Sequence, residues 1–363
     1  MPVNESEDSL LRSRLVSRWR IDDSYRIIDR DCNAEPVWLV SSGFWRDWFA
    51  EIEDVMDTPL ERRLAYASES HETWRLQQRM ITELLPNPII GKNKSRLNWI
   101  NADWEERGIG KLSSLIGDEL MVSGRCISAQ ASGQVCAIMA VIRNSSLRHL
   151  WRDYGPERTL VDLENRGALL PPVMDVKITW NFLRCGGDRP MEKLQNSALN
   201  ILEGHLYIDS IKHIFIGRDL VLRLAENIAL QELIPNSDER TEWNGISSDE
   251  GVIWSAMAEA TRRVFIAEGG HVLIGDSSHW NNVIEENLTQ YGLGKLCSVK
   301  SIGDYGEIQF SLEGGIHPSL CVGILLGCWQ RSEGRDGRAK WWQNGHVQMI
   351  EIIPRRALAD PIS

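Results

Sequence analysis

The sequence predicts an α+β protein made of two homologous domains. Each has helices packed on an antiparallel sheet, and the two are arranged as a pseudo-twofold dimer. Three observations carry this. First, "GIGKLSSLIGD" (108–118) and "GLGKLCSVKSIGD" (292–304) are one run written twice: with Lys300 and Ser301 taken as an insertion, Gly108, Gly110, Lys111, Leu112, Ser114, Ile116, Gly117 and Asp118 meet identical residues. Second, the likeness extends outward. "WRDYGPERTLVDLENR" faces "WWQNGHVQMIEIIPR", "GQVCAIMAVI" faces "PSLCVGILLG" with Cys136 opposite Cys321, and His71 falls opposite His271. Third, within each copy short alternating apolar runs are interleaved with helical periodicities, the mark of mixed secondary structure. A fixed internal repeat outranks other sequence signals for fold prediction. The break falls after Arg166, giving copies over 1–166 and 167–363, each expected to close its own core.

The elements follow in order. A short apolar strand leads into an amphipathic helix ("VWLVSSGFWRDWFAEIED"; "HIFIGRDLVLRLAENIAL"). A second helix comes next ("PLERRLAYASES"; "EGVIWSAMAEATRRVF"), and a third runs into the glycine motif ("LNWINADWEERGIG"; "WNNVIEENLTQYGLG"). There Gly292 ends a helix in the left-handed conformation, Gly294 permits a tight bend, and Gly303-Asp304 turns a hairpin. "GEIQFSLEG" alternates Ile308, Phe310 and Leu312 with polar residues, a half-buried strand. His317 caps a helix with Pro318 in its first turn, and Cys321, Ile324, Leu325 and Cys328 recur on its core face. Gly323 and Gly327 are spaced for a close helix–sheet approach, and a final strand closes each copy. "LLPNPIIGKNKSR" (84–96) reads as a surface loop peculiar to the first copy. At the start, "LLRSRLVSRWR" reads as an amphipathic helix with Arg12, Arg14, Arg18 and Arg20 on a solvated face.

This order, with a helix into "YGLGK", a hairpin, "CVGILLG" and a closing "VQMIEI" strand, resembles the 4-vinyl reductase domain. Its superfamily also includes haem-nitric-oxide sensor domains and a subunit family of Golgi tethering complexes. The resemblance implies a domain that holds a small hydrophobic or tetrapyrrole-like molecule between helices and sheet, or one turned into a dimerisation module with a protein partner. That family often carries cysteines at and beyond its last strand. "EIIPRRALADPIS" and "DLENRGALLPP" have none, so no metal is carried over.

The chemistry-bearing residues give no reaction. A phosphate loop needs Ser or Thr after Gly-Lys, but Leu112 and Leu296 follow Lys111 and Lys295. The seven cysteines include no C-x-x-C pair. A net charge of −11 repels phosphate backbones and argues against nucleic acid. The longest apolar run is far short of the roughly 20 residues a membrane span needs. With no secretory signal pattern, the reading is a cytosolic chain. His317 four residues before Cys321 leaves thiol chemistry as a third, weaker reading. Fifteen tryptophans suit cores, interfaces and flat-ligand pockets alike. The expected function is therefore small-ligand binding or sensing, with no catalytic residues and an unknown cofactor. The expected apolar pocket lies between the cysteine-led helix and the sheet, near Lys295, Cys321, Trp329 and His271, with Lys111, Cys136 and His71 in the first copy. A non-catalytic interaction scaffold is the alternative.

Overall fold

The structure is a computed structural model that describes residues 5–79, 85–87, 92–114, 119–167, 172–183, 186–230, 240–270 and 272–355. It is α+β, with antiparallel sheets covered by helices. The first half runs α1 (Glu5–Arg18), β1 (Trp19–Ile21), β2 (Ile27–Asp29), β3 (Glu35–Ser41), α2 (Ser42–Met56), α3 (Glu61–Gln78), α4 (Lys92–Arg107), β4 (Lys111–Ser114), β5 (Leu120–Ser123), α5 (Ser128–Arg143), β6 (Leu147–Asp153) and β7 (Arg158–Asn165). The second runs β8 (Arg189–Pro190), α6 (Glu192–Asn196), β9 (Leu199–Leu202), β10 (His205–Ile208), β11 (Ile211–Gly217), α7 (Arg218–Ala229), β12 (Thr241–Trp243), α8 (Ser248–Glu268), α9 (Trp280–Asn287), β13 (Lys295–Ser301), β14 (Ile308–Glu313), α10 (Pro318–Glu333), β15 (Gly337–Asn344) and β16 (Val347–Pro354).

Three sheets result. The small sheet of the first half is ordered β4-β5-β7-β6; that of the second is β12-β15-β16-β14-β13, the same order read backwards with β12 added on the edge. The central sheet is β8-β1-β2-β3-β11-β10-β9, which reads outward from the β3–β11 pair through a hairpin on each side. β3 and β11 are antiparallel, pairing His213 with Ser41 and Gly217 with Val37. Both are buried on two faces: Trp38, Val40, Ile214 and Ile216 enter the large core, and Val37, Leu39 and Phe215 enter a smaller one with Leu15 and Trp19. Trp19 stacks on Phe215 with ring centroids 3.8 Å apart. Each early element is thus a three-stranded run, and each closing one a hairpin, where the sequence suggested single strands; the added early strands are only three or four residues long, too short to show a period.

The halves do not close separate cores. α2 packs on α8 of the second half, and α7 packs on α3 of the first. Trp48 on α2 donates its indole N–H to Thr261 Oγ1 on α8 at 2.9 Å. The large core is one cluster drawn from both halves.

The doubled glycine motif belongs to this crossing. Gly108 and Gly292 have φ of +71° and +82°. A Cβ on Gly108 would stand 2.1 Å from the His213 carbonyl oxygen on β11, and one on Gly292 would stand 2.7 Å from the Val37 oxygen on β3. Each motif therefore seats its first glycine on the other half's central strand. The second glycine lies against its own hairpin: Gly110 against Ser123 O (2.8 Å) and Gly294 against Glu313 O (2.5 Å). Gly323 and Gly327 serve helix–helix contact instead of helix–sheet, because Ala258, Thr261 and Phe265 of α8 fill the space a Cβ would take.

α5 and α10 both run sixteen residues and both end on a left-handed cap, Asn144 and Gly334. Gly133 rests on Ala65 of α3 as Gly323 rests on Ala258 of α8. This frame puts Leu326, not Cys321, in the place of Cys136. The sequence pairing slipped by five residues because it matched residue type where backbone approach fixes the register.

Between the halves, residues 172–183 cross without regular structure. Trp180 anchors them, buried edge-on to Trp254 and His317. His317 caps α10, its Nδ1 accepting from the Ser319 amide. The ring proton therefore sits on Nε2, and the imidazole lies edge-on to the indoles of Trp180 and Trp254 with ring centroids 5.0 and 4.8 Å away.

Two outcomes are expected. Gly108→Ala and Gly292→Ala each cost at least about 2 kcal/mol in urea unfolding, through strain plus clash with a foreign strand. Gly345→Ala, equally left-handed but with open space around it, costs about 1 kcal/mol. Equal costs would contradict the seating. Burial also pushes the His317 imidazole down from 6.5 to about 3. The unfolded chain takes this proton below about pH 6.5 while the folded one refuses it, so stability falls as pH drops from there toward 3. The loss for this group is ~1.4 kcal/mol per pH unit. His317→Asn, which keeps a capping acceptor, should flatten that slope; an unchanged slope contradicts the assignment.

Candidate functional site

The β3–β11 pair has a flank at each end, where a strand begins on one half and the other half's helices cover it. The two flanks are built from the same order of elements and filled with opposite chemistry.

On the first flank the side chains are charged. Arg18 at the end of α1 clasps Asp29 of β2 with two bonds of 3.0 and 2.9 Å and reaches Glu106 Oε2 at 3.1 Å and Asp103 Oδ1 at 3.0 Å on α4. Asp103 also takes Arg75 and Arg79 from α3, the latter at 2.5 Å. Arg107 holds both oxygens of Glu72, at 3.1 and 2.9 Å. Arg18, Asp29, Glu72, Arg75, Asp103 and Arg107 are all buried. Burial raises the Asp103 carboxyl, but Arg75, Arg18, Arg107 and Arg79 more than offset it and hold it well below the carboxylate range. Glu72 and Asp29 are lowered for the same reason. Beside them Glu35, which opens β3, accepts from the Asp219 amide at 3.1 Å, and His71 Nδ1 meets Asp219 Oδ2 at 2.9 Å. Arg223 holds that carboxylate at 2.7 and 3.0 Å. Burial raises the Glu35 carboxyl. A polar cleft of about 350 Å³ opens over Glu35 and Asp219, walled by Asp22, Arg26, Trp74 and Phe182.

On the second flank the same places carry no arginine, and three of the five are apolar or aromatic. Where the first has Glu35, Glu72, Arg75, Asp103 and Arg107, the second has Ile211, Phe265, Glu268, Asn287 and Tyr291. Among the described residues no ion network fills it, and an aromatic cleft of about 420 Å³ is left. Trp38, Val40 and Phe44 form its floor, with Phe265, Tyr291, Leu293 and Ile324 as walls. Its polar groups are few. His213 Nδ1 donates to Ile211 O at 2.9 Å, which leaves Nε2 as an acceptor, and burial lowers this imidazole from 6.5. Glu268 stands at the rim, its carboxyl raised by partial burial and by Asp47. Apolar aromatic walls with a few convergent polar groups are the make-up of a small-molecule pocket.

The residues singled out from sequence go to different places. Cys321 and Trp329 are in the packed core: Cys321 Sγ donates to Leu293 O at 3.2 Å, and Trp329 donates to Gly306 O at 2.8 Å. The aromatic cleft meets α10 at Ile324, one turn after Cys321, and Leu293, which covers the Cys321 thiol, is one of its walls; neither Cys321 nor Trp329 lines it. Burial pushes the Cys321 thiol up to about 12, so it does not supply a nucleophilic thiolate at neutral pH. Lys111 and Lys295 open β4 and β13 and pair with Glu105 and Glu313 at 3.3 and 3.4 Å. Lys295 also donates to Asp23 O at 3.2 Å across the halves. His71 joins the ion network, mid-helix and not at a helix end. Cys136 lies apart, against Glu69 and His149. His271 lies outside the described residues. Arg18 does not face solvent, as the arginine-rich face of α1 suggested, but is buried in the network. Sequence reasoning missed Asp103, Arg107, Glu72 and Arg75, whose signal was opposite charges three and four apart on α3 and α4.

No helix among the described residues is long and apolar enough to cross a membrane. Comparison with protein-family models, curated proteins and solved structures finds no match.

Neutralising Asp103 takes one counter-charge from four guanidinium groups, three of them buried. Asp103→Asn is expected to cost about 3–5 kcal/mol in urea unfolding. Glu268→Gln, at the place that corresponds to Arg75 on the open flank, should stay within about 0.5 kcal/mol. Similar costs for both would contradict the contrast between the flanks.

Proposed function

We propose that the protein is a small-ligand-binding protein of duplicated origin, in which one of two equivalent sites keeps an open pocket and the other has become a structural ion lock. The observation that carries the reading is the aromatic cleft of about 420 Å³ at the place where the first half buries its arginines and carboxylates. The doubled strand order, the β3–β11 pairing and the crossed glycines support duplication, with the halves facing each other across an approximate twofold. The likeness to the 4-vinyl reductase domain belongs to this proposal and points the same way, to an apolar guest between helix and sheet.

The cleft chemistry defines the guest. Trp38, Phe44, Phe265 and Tyr291 suit a flat apolar body. Glu268 at the rim accepts from an amine or hydroxyl, and His213 offers a second acceptor. A flat aromatic molecule with one donor group fits; an anion does not.

A scaffold reading has one supporting observation, the filled core around Cys321 and Trp329. It does not account for the open cleft.

The test is a fluorescence titration with N-phenyl-1-naphthylamine, a neutral aromatic amine. One saturable site per chain is expected, with quenching of tryptophan emission. Ile211→Trp, at an exposed rim position, should weaken binding at least about tenfold, while Leu222→Trp at the polar cleft should not. Absence of saturation, or no effect of Ile211→Trp, overturns the proposal.

A further inference from the structure

The geometry points to a second, independent site: a zinc ion held by Glu69 of α3, Cys136 of α5 and His149 of β6. The carboxylate oxygen, the thiol sulfur and an imidazole nitrogen all lie within 4.8 Å of one another. His149 Nε2 stands 3.5 Å from Glu69 Oε2. Bonds of about 2.0 Å to nitrogen and oxygen and about 2.3 Å to sulfur place tetrahedral ligands some 3.3–3.8 Å apart, so only small side-chain shifts are needed.

Three features prepare this set. The first is the backbone. Gly133 lets α5 approach α3 until a Cβ there would lie 2.1 Å from Ala65 O and 2.8 Å from Glu69 N. Cys136 follows one turn later, opposite Glu69. The second is the tautomer. Ser132 Oγ gives its proton to Ala129 O at 2.9 Å, so toward His149 Nδ1, 3.1 Å away, it can only accept. Nδ1 therefore carries a hydrogen, and Nε2 is the nitrogen turned toward Glu69. A second partner of this kind fixes metal-binding imidazoles and raises their basicity. The third is electrostatic: the Glu69 carboxylate faces both His149 Nε2 and the Cys136 Sγ, so a cation between them, whether a proton or a metal ion, is stabilised. Trp151 stacks on the His149 ring at 5.8 Å and holds its plane.

One sulfur, one nitrogen and one oxygen donor suit Zn²⁺, and three protein ligands leave a fourth position for water. The thiol proton leaves to solvent as the Zn–S bond forms, so no oxidant or reductant takes part. The site has no twin. The equivalent places in the second half hold Arg262, Leu326 and Ala339, and Arg262 is engaged with Glu259 and Gln330. The aromatic cleft uses none of these residues, so the two proposals stand or fall separately.

The full chain, stripped with chelator, is titrated with Zn²⁺ and with Co²⁺ at neutral pH. One equivalent of Zn²⁺ should survive dialysis and raise the melting temperature, and Co²⁺ should give a thiolate-to-metal charge-transfer band. Cys136→Ser should abolish the band, and His149→Gln should abolish retention. Ser132→Ala, which only frees the ring, should weaken binding about 10–100-fold. Cys328→Ser, buried elsewhere, should change nothing. Far-ultraviolet circular dichroism of each variant separates loss of metal from loss of fold, and Ser132→Ala carries the test if the ligand variants unfold. Sub-stoichiometric metal in the wild type, no thiolate band, or a band that persists in Cys136→Ser overturns the site.

Discussion

The antiparallel pairing of β3 with β11 is the constraint on which the rest of the molecule depends. It makes one central sheet out of strands from both halves, buried on both faces. A doubly buried strand must be covered twice, so the helix after each strand packs into the other half, α2 onto α8 and α7 onto α3. The chain leaving each third helix then passes so close to the foreign strand that only a left-handed glycine fits, at Gly108 and Gly292. The doubled motif is thus explained by backbone approach, with no ligand needed.

The same frame has been filled in two ways. Around β3's start, arginines and carboxylates neutralise one another in a dry interior. Such networks add little net stability over apolar packing, but lose heavily when broken. They fix geometry: Arg18 ties α1 to β2 and α4, and Arg75 and Arg107 tie α3 to α4. Around β11's start no arginine is present at these places and the space stays open. One flank rigidifies the pair, which lets the other keep a cavity in an otherwise packed core.

Some of this was legible in the sequence. The α+β class, the third helix ending at glycine, the hairpin at Gly303-Asp304 and the His317 cap followed from local rules: period, turn chemistry, capping. Those rules act within a few residues. The placing of Cys136 against Cys321 failed because a cysteine marks no backbone requirement, whereas Gly133 and Gly323 do. The fate of the arginine faces was invisible, since a helix with charges at i and i+4 reads the same whether water or four counter-charges surround it. Cys136 and His149 sit on consecutive elements, but Glu69 comes from a helix more than sixty residues earlier, so no local spacing could announce the set. The cleft was sought at Cys321 itself because the sequence shows a helix face as apolar without saying where along it a neighbour fills the space: Leu293 covers Cys321, and Ile324 one turn on meets the cleft.

The central claim is that two equivalent flanks have diverged and that the aromatic one alone receives a guest. The most direct measurement is a crystal structure of the protein grown with saturating N-phenyl-1-naphthylamine. The account predicts the aromatic rings between Trp38, Phe265, Tyr291 and Ile324, the amine toward Glu268, and nothing over Glu35 and Asp219. Rings found over Glu35 and Asp219, or at both flanks, would contradict it.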